Sequence, residues 1–196
     1  VNIDRCNEQM PRPQKDMGLK IRQSNLCSEI TLPTDEERTA VCCLSSVNLE
    51  YFDEWKDDAN FIPDLITMLD NILQHFVDNV AVLPASADVP NTLSEFIKYV
   101  RPQKEFSGKA KAAYSAYRER SVGLGAMGFH SYLQRNSIPF EGMYAASFNN
   151  RCFKHIKEQA KQTTELLGSL RGEAPDMAGT GVRNACLLAV ALFFFF

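Results

Sequence analysis

Between residues 143 and 170 the apolar side chains return to one face of a helix. Phe148, Cys152, Ile156, Ala160 and Leu167 share that face, while Lys154, Lys157, Glu158 and Lys161 point away from it. Gly168 and Gly172 lie near its end. A helix of this kind takes most of its stability from the layer it packs on, so the rest of the chain must supply an apolar partner. Residues 58–80 repeat the pattern with Phe61, Leu65, Leu69, Leu73, Phe76 and Val80. The short apolar, β-branched runs at 39–49 and 186–192 read as buried strands. Long helices over short buried strands make an α/β architecture. Residues 1–20 read as loop, 21–33 as an extended stretch, 34–38 as a charged turn, and 92–100, 109–120 and a segment reaching Gln134 as further helices. These strands do not complete a sheet by themselves, so the expected fold is an incomplete α/β unit.

Composition removes several classes. Thirteen Phe, six Tyr and one Trp give the chain ample surface to bury, which excludes disorder. A formal net charge of -3 is the wrong sign for a protein that holds nucleic acid through a basic field. No targeting peptide is visible in residues 1–20. The apolar run from Cys186 to Phe196 is about half the ~20 residues needed to span a bilayer. The chain starts at Val1 and closes on four Phe, so it reads as a fragment: residues 1–191 as one unit, 192–196 as an aberrant apolar tail. Six cysteines without a secretory signal point to a reduced compartment, where thiols serve chemistry, metal or packing.

Three constellations could carry chemistry. Gly123, Gly125 and Gly128 match G-x-G-x-x-G, but a helical pattern precedes them where a dinucleotide site needs a strand, so they read as glycines for close packing. Cys6, Cys27, Cys42 and Cys43 lack the short paired spacing of a zinc site, and no metal site is expected. In an extended stretch Asn25, Cys27 and Glu29 would project together, joining an amide, a thiol and a carboxylate beside Ser24. The residues alone leave this face open between a solvated strand and a reaction site. Cys42 and Cys43 add thiols able to exchange electrons as a disulfide, or two small buried hydrophobes.

At these residues the sequence resembles a known family. Arg22–Ile30 (RQSNLCSEI), Val41–Leu49 (VCCLSSVNL), Arg120–His130 (RSVGLGAMGFH), Ile138–Glu141 and Gly179–Asn184 resemble, in order, segments of the large catalytic (alpha) subunit of class I ribonucleotide reductase, phage and bacterial type. The resemblance implies part of a ten-stranded α/β barrel that reduces ribonucleoside diphosphates to the deoxy forms for DNA synthesis. It implies that Cys27 becomes the thiyl radical, on an interior loop of the barrel. Glu29 is then the general base for the 3′-hydroxyl, Asn25 holds the substrate hydroxyls with Ser24 beside it, and Cys42 is one thiol of the reducing pair, with Cys43 left to packing. No cofactor is expected on this chain itself. The radical would come from a metal-containing small subunit, and ATP or dNTP effectors would bind elsewhere. Thioredoxin or glutaredoxin would be the reductant and a homodimer the intact form, in the cytoplasm, without nucleic acid or membrane. Val182 and Cys186 depart from the usual Arg and His, and the partner redox cysteine, phosphate loop and radical-path tyrosines are not in this sequence. The fragment alone is expected to be inactive and poorly soluble. The competing reading is a non-catalytic truncated remnant keeping only subunit-contact surfaces.

Overall fold

A computed structural model describes residues 1–84, 90–102 and 107–190. The apolar tail at 192–196 therefore lies outside the described residues. Two short helices, α1 (Ile3–Gln9) and α2 (Arg12–Asp16), stand where the polar N-terminal stretch read as loop. Asn2 caps α1 by accepting from Arg5 N, and Pro13 sits in the first turn of α2, where its missing N–H costs nothing. Next come β1 (Cys43–Asn48), α3 (Phe52–Trp55), α4 (Phe61–Val80), α5 (Leu93–Ile97), α6 (Ser107–Glu119), β2 (Val122–Met127), α7 (Phe129–Arg135) and α8 (Met143–Arg171). A 3-10 turn at Pro175–Met177 leads into the last stretch.

The sheet is parallel, with Cys43 opposite Val122 and Asn48 opposite Met127. On the far side of β2, Leu188 bridges Leu124 in parallel, and Val122 N and Leu124 N donate to the carbonyls of Cys186 and Leu187. β2 is thus the central strand, and among the described residues the sheet does not close. The glycine-rich run, which carries no strand pattern in the sequence, is itself this strand, and its glycines serve close packing. The reason is crowding. A Cβ on Gly123 would lie 2.6 Å from Leu44 Cδ2 and 2.7 Å from Ala189 Cβ, and one on Gly125 would strike the Ala189 carbonyl. Only glycine lets both flanking chains lean in over β2 at these positions.

The outward face of the sheet carries the main core. Val47, Val122 and Leu124 pack with Ile62, Ile66 and Leu69 of α4 and with Phe148, Cys152 and Ile156 of α8. The α8 face is the one its periodicity predicts. In α4 the buried line keeps Leu69, Leu73 and Val80 of the expected set and adds Ile62, Ile66 and Val77, while Phe61, Leu65 and Phe76 lie along its margin. Asp70 sits in the middle of this line, 0 % exposed.

Asp70 is held from three directions. Arg120, at the junction of α6 and β2, donates from Nε (2.9 Å) and Nη2 (2.8 Å) to Oδ1. Arg171, at the end of α8, reaches Oδ2 at 3.1 Å, and Arg183 reaches it at 3.5 Å. Asn184 Nδ2 donates to Oδ1 at 3.2 Å and to the Arg120 carbonyl at 2.9 Å. Burial alone would raise the Asp70 pKa, but Arg120 and Arg183 outweigh it and hold the carboxyl below its usual range. A second buried carboxylate, Asp176, joins Arg38 and Arg118, tying the segment before β1 to α6. Removing one member of such a network strands buried charge. We expect Asp70→Ala to lower unfolding free energy by about 3–5 kcal/mol in urea titrations, and exposed His75→Ala on the same helix to change it by less than about 0.5 kcal/mol.

Candidate active site

Residues 21–33 form a reversing loop, not the straight extended run expected from the sequence. Ile21 and Pro33 pair antiparallel at its base, and Arg22 Nε donates to Thr34 O at 3.0 Å. Near its tip, Asn25 N donates to Ile30 O (3.3 Å) and Ser28 N to Asn25 O (3.1 Å), with Ser28 at a φ of 58°. Residues 26–29 therefore turn, and the alternation that would line up Asn25, Cys27 and Glu29 does not apply to them. The loop brings two of the three together by another route. Asn25 Nδ2 donates to Glu29 Oε1, while the Asn25 side-chain carbonyl accepts from Ile30 N at 3.4 Å. The other Glu29 oxygen is buried without a partner. Ser24 Oγ lies 3.5 Å from Ser28 Oγ. Cys27 occupies the tip and is exposed, in contrast to the enclosed place expected for it, because no described segment covers the turn. Its neighbour Leu26 is 99 % exposed.

Beside the loop is a cavity of about 300 Å³. It is lined by Gln23, Ser24 and Asn25 of the loop, by Ile30 and Leu32, and by Cys42 and Leu44. Cys42 precedes β1 on the side facing this cavity, whereas Cys43 points outward into the core beneath α4. Three of the four catalytic candidates thus gather here: Asn25 is bonded to Glu29 and shares the lining of the cavity with Cys42. Cys27 stands beside it and is not among the lining residues.

The thiols here are held neutral. Burial pushes the Cys42 pKa far up, with Cys186 and Cys43 adding to it, and pushes Cys186 up to about 11. A protonated thiol is a poor nucleophile and a stable store of reducing equivalents until a base acts on it. Both pack on the same small cluster of Ile30, Leu32 and Ala189.

Sequence reasoning passed over one group. Glu119, the last residue of α6, is wholly buried, and burial pushes its carboxyl up to about 8, against the pull of Ser121 Oγ, which donates at 3.0 Å, and of Arg38. A charged residue between two arginines at a helix end normally reads as solvated, so nothing in the pattern marks it. Among the described residues no cluster of three His, Cys, Asp or Glu is placed to hold a metal, and no helix is long and apolar enough to cross a membrane.

Comparison with known proteins identifies the family. A family model for the ribonucleotide reductase barrel domain matches residues 1–190. The ribonucleoside-diphosphate reductase large subunits of Invertebrate iridescent viruses 3 and 6 are each 45% identical to this chain, over 96% and 84% of it and 26% and 15% of their own lengths. The class Id ribonucleotide reductase alpha subunit of Actinobacillus ureae superposes with a TM-score of 0.77 at 35% identity, covering 96% of this chain and 32% of that one. The chain belongs to the ribonucleotide reductase barrel family, and it spans a third or less of these relatives.

Glu119 also sets a pH dependence. Its carboxyl titrates near 4.5 when unfolded and at about 8 when folded. The folded state therefore holds an extra proton between those values. The stability this contributes is complete below about pH 4.5 and is lost as pH rises through 8, amounting to no more than about 5 kcal/mol. Thermal unfolding followed from pH 5 to 9 should show that decline, and Glu119→Gln should flatten it.

Proposed function

We propose that this chain supplies the central catalytic segment of a ribonucleoside-diphosphate reductase large subunit, with residues 1–191 forming one continuous part of its barrel. The observation that carries the reading is the group at the cavity: the Asn25 amide, bonded to Glu29, lines it together with the half-buried Cys42 thiol, whose pKa burial raises. An amide and a carboxylate suit a pair of ribose hydroxyls, one held and one deprotonated. A protonated dithiol partner suits the loss of the 2′-hydroxyl as water, since it delivers two electrons and two protons as it closes to a disulfide. Cys27 would carry the radical that abstracts the 3′-hydrogen, and Ser24 would line the substrate side. A cavity of about 300 Å³ lies at the small end of ligand pockets. Leu44, which lines the cavity, is 48 % exposed, and Leu26 at the tip of the loop is an exposed apolar side chain, as expected of surfaces that other parts of a large subunit would cover.

The substrate class would be ribonucleoside diphosphates. The radical would come from a metal-containing small subunit, and electrons would be restored by thioredoxin or glutaredoxin. Effector nucleotides would bind on other segments of a homodimeric protein in the cytoplasm. The test is reduction of CDP by a full-length large subunit carrying this segment, supplied with its radical-generating subunit. Cys27→Ser should abolish product, and Glu29→Gln should lower the rate by about 10²- to 10⁴-fold, the usual range for a general base. Undiminished turnover by Cys27→Ser would refute the assignment. The alternative, a non-catalytic remnant keeping subunit contacts, would show binding to the small subunit without any reduction.

A further inference from the structure

Glu119 is 0 % exposed, yet only one of its two carboxyl oxygens is bonded. Ser121 Oγ donates to Oε2 at 3.0 Å, and among the described residues Oε1 has no hydrogen-bond partner. A buried carboxyl left half satisfied is costly, and its surroundings indicate a use. Ser121 immediately precedes Val122, which pairs with Cys43. One step back, the same register sets Cys42 beside Ser121, and paired residues face the same side of a sheet. On the other flank Val122 N donates to Cys186 O at 3.0 Å. Cys42 Sγ lies 3.2 Å from where a Cβ on Gly123 would stand, two residues along from Ser121, and Cys186 lines a cavity together with Ser121.

The charged groups around Glu119 do not neutralise it. Arg38, from the segment before β1, and Asp176, from the 3-10 turn, face it but are bonded to one another. Arg118 is committed to Asp176 and Arg120 to Asp70. Cys42 and Cys186 complete the set, and each is felt by the Glu119 charge. What remains is a carboxyl with a free oxygen, no dedicated cation, and thiols for neighbours.

We propose that Glu119 is the proton acceptor for the Cys42 thiol when that sulfur attacks a disulfide. The Cys42 S–H bond breaks and its proton passes to Oε1, so the carboxylate becomes the neutral acid. A new S–S bond forms between Cys42 and the nearer sulfur of the incoming disulfide. The farther sulfur leaves as a thiolate with the electron pair, so Cys42 is oxidised to the mixed disulfide and the reagent is reduced. The role fits both partners. The thiol is too buried to ionise unaided, and a carboxyl poised near pH 8 is a far stronger base than an ordinary one.

This deepens the reading of Cys42 as a redox thiol and rests on it, but the test needs no nucleotide, so the two can fail separately. The full chain is treated with 2,2′-dithiodipyridine from pH 6 to 10, and modification of Cys42 is followed by peptide mass mapping. The wild-type rate should rise through a step near pH 8. In Glu119→Gln the step should vanish and the rate at pH 9 should fall by about tenfold or more. An unchanged rate would overturn the proposal. So would a faster one, since it would show that Glu119 acts only as a repelling charge. Loosened folding cannot imitate the expected result, because opening the core speeds thiol modification. Ser121→Ala gives an independent check: without the hydroxyl that favours the charged form, the step should move to higher pH, and an unmoved midpoint would also overturn the assignment.

Discussion

The carboxylate of Asp70 ties α4 to the start of β2, the end of α8 and the loop after it at a single point. It sits in the middle of the apolar line of α4, where a lone charge would be among the most costly groups in the molecule. Arg120, Arg171, Arg183 and Asn184 meet it there, from the start of β2, the end of α8 and the loop that follows. Removing any of these donors would leave the others poorly placed. The hub therefore fixes the register of α4 on the sheet and, through Asn184, the path of the chain into Cys186–Ala189. That path forms the far side of β2, so a network on the outer face determines what the inner face can hold.

The inner face is built for close approach. Ser121, Gly123 and Gly125 keep β2 bare, and Leu44 and Ala189 crowd over it from the two flanking chains. The same bareness lets Cys42 come within 3.2 Å of where a Cβ on Gly123 would stand. Larger residues on β2 would push the two walls apart and remove the dry, narrow setting in which both thiols stay protonated. The motif that resembles a nucleotide-binding fingerprint thus has a mechanical origin, in which glycine spacing follows the two-residue period of a strand.

Much of this was legible in the sequence, for physical reasons that also explain the failures. The helices α4 and α8 announce themselves because one-sided burial over many turns leaves a strong period. The strand at 122–127 is hidden because its inner face carries no side chains to alternate. The 21–33 loop was misread because alternation presumes a straight chain, and the turn at 26–29 depends on Asn25 bonding backward and forward at once. The residue types of the site, Ser24, Asn25, Cys27, Glu29 and Cys42, were visible in the sequence, and their order matched a family. Their spatial grouping was not, since tertiary packing is what brings Asn25 and Cys42 to the lining of one cavity. Asp70, Asp176 and Glu119 were invisible for a related reason: a carboxylate's charge state depends on donors far away in sequence.

Asp70 and Glu119 make that last point concrete. Both are acidic, both are fully enclosed, and they are linked through Arg120, which bonds one and adjoins the other in sequence. Burial acts on each in the same direction. Asp70 collects two close arginines, a third at longer range and an amide, so its charged form wins. Glu119 collects one hydroxyl, while the nearest cation is already bonded to Asp176, so its neutral form persists to about pH 8. The arginines are thus distributed unevenly. Three meet the Asp70 carboxylate and two meet Asp176, and among the described residues none is bonded to Glu119. A saturated carboxylate is a fixed anchor and a starved one remains able to exchange a proton. The fold places the anchor under α4 and the exchangeable group beside the thiols, which is the arrangement a site that moves protons between sulfur and carboxyl requires.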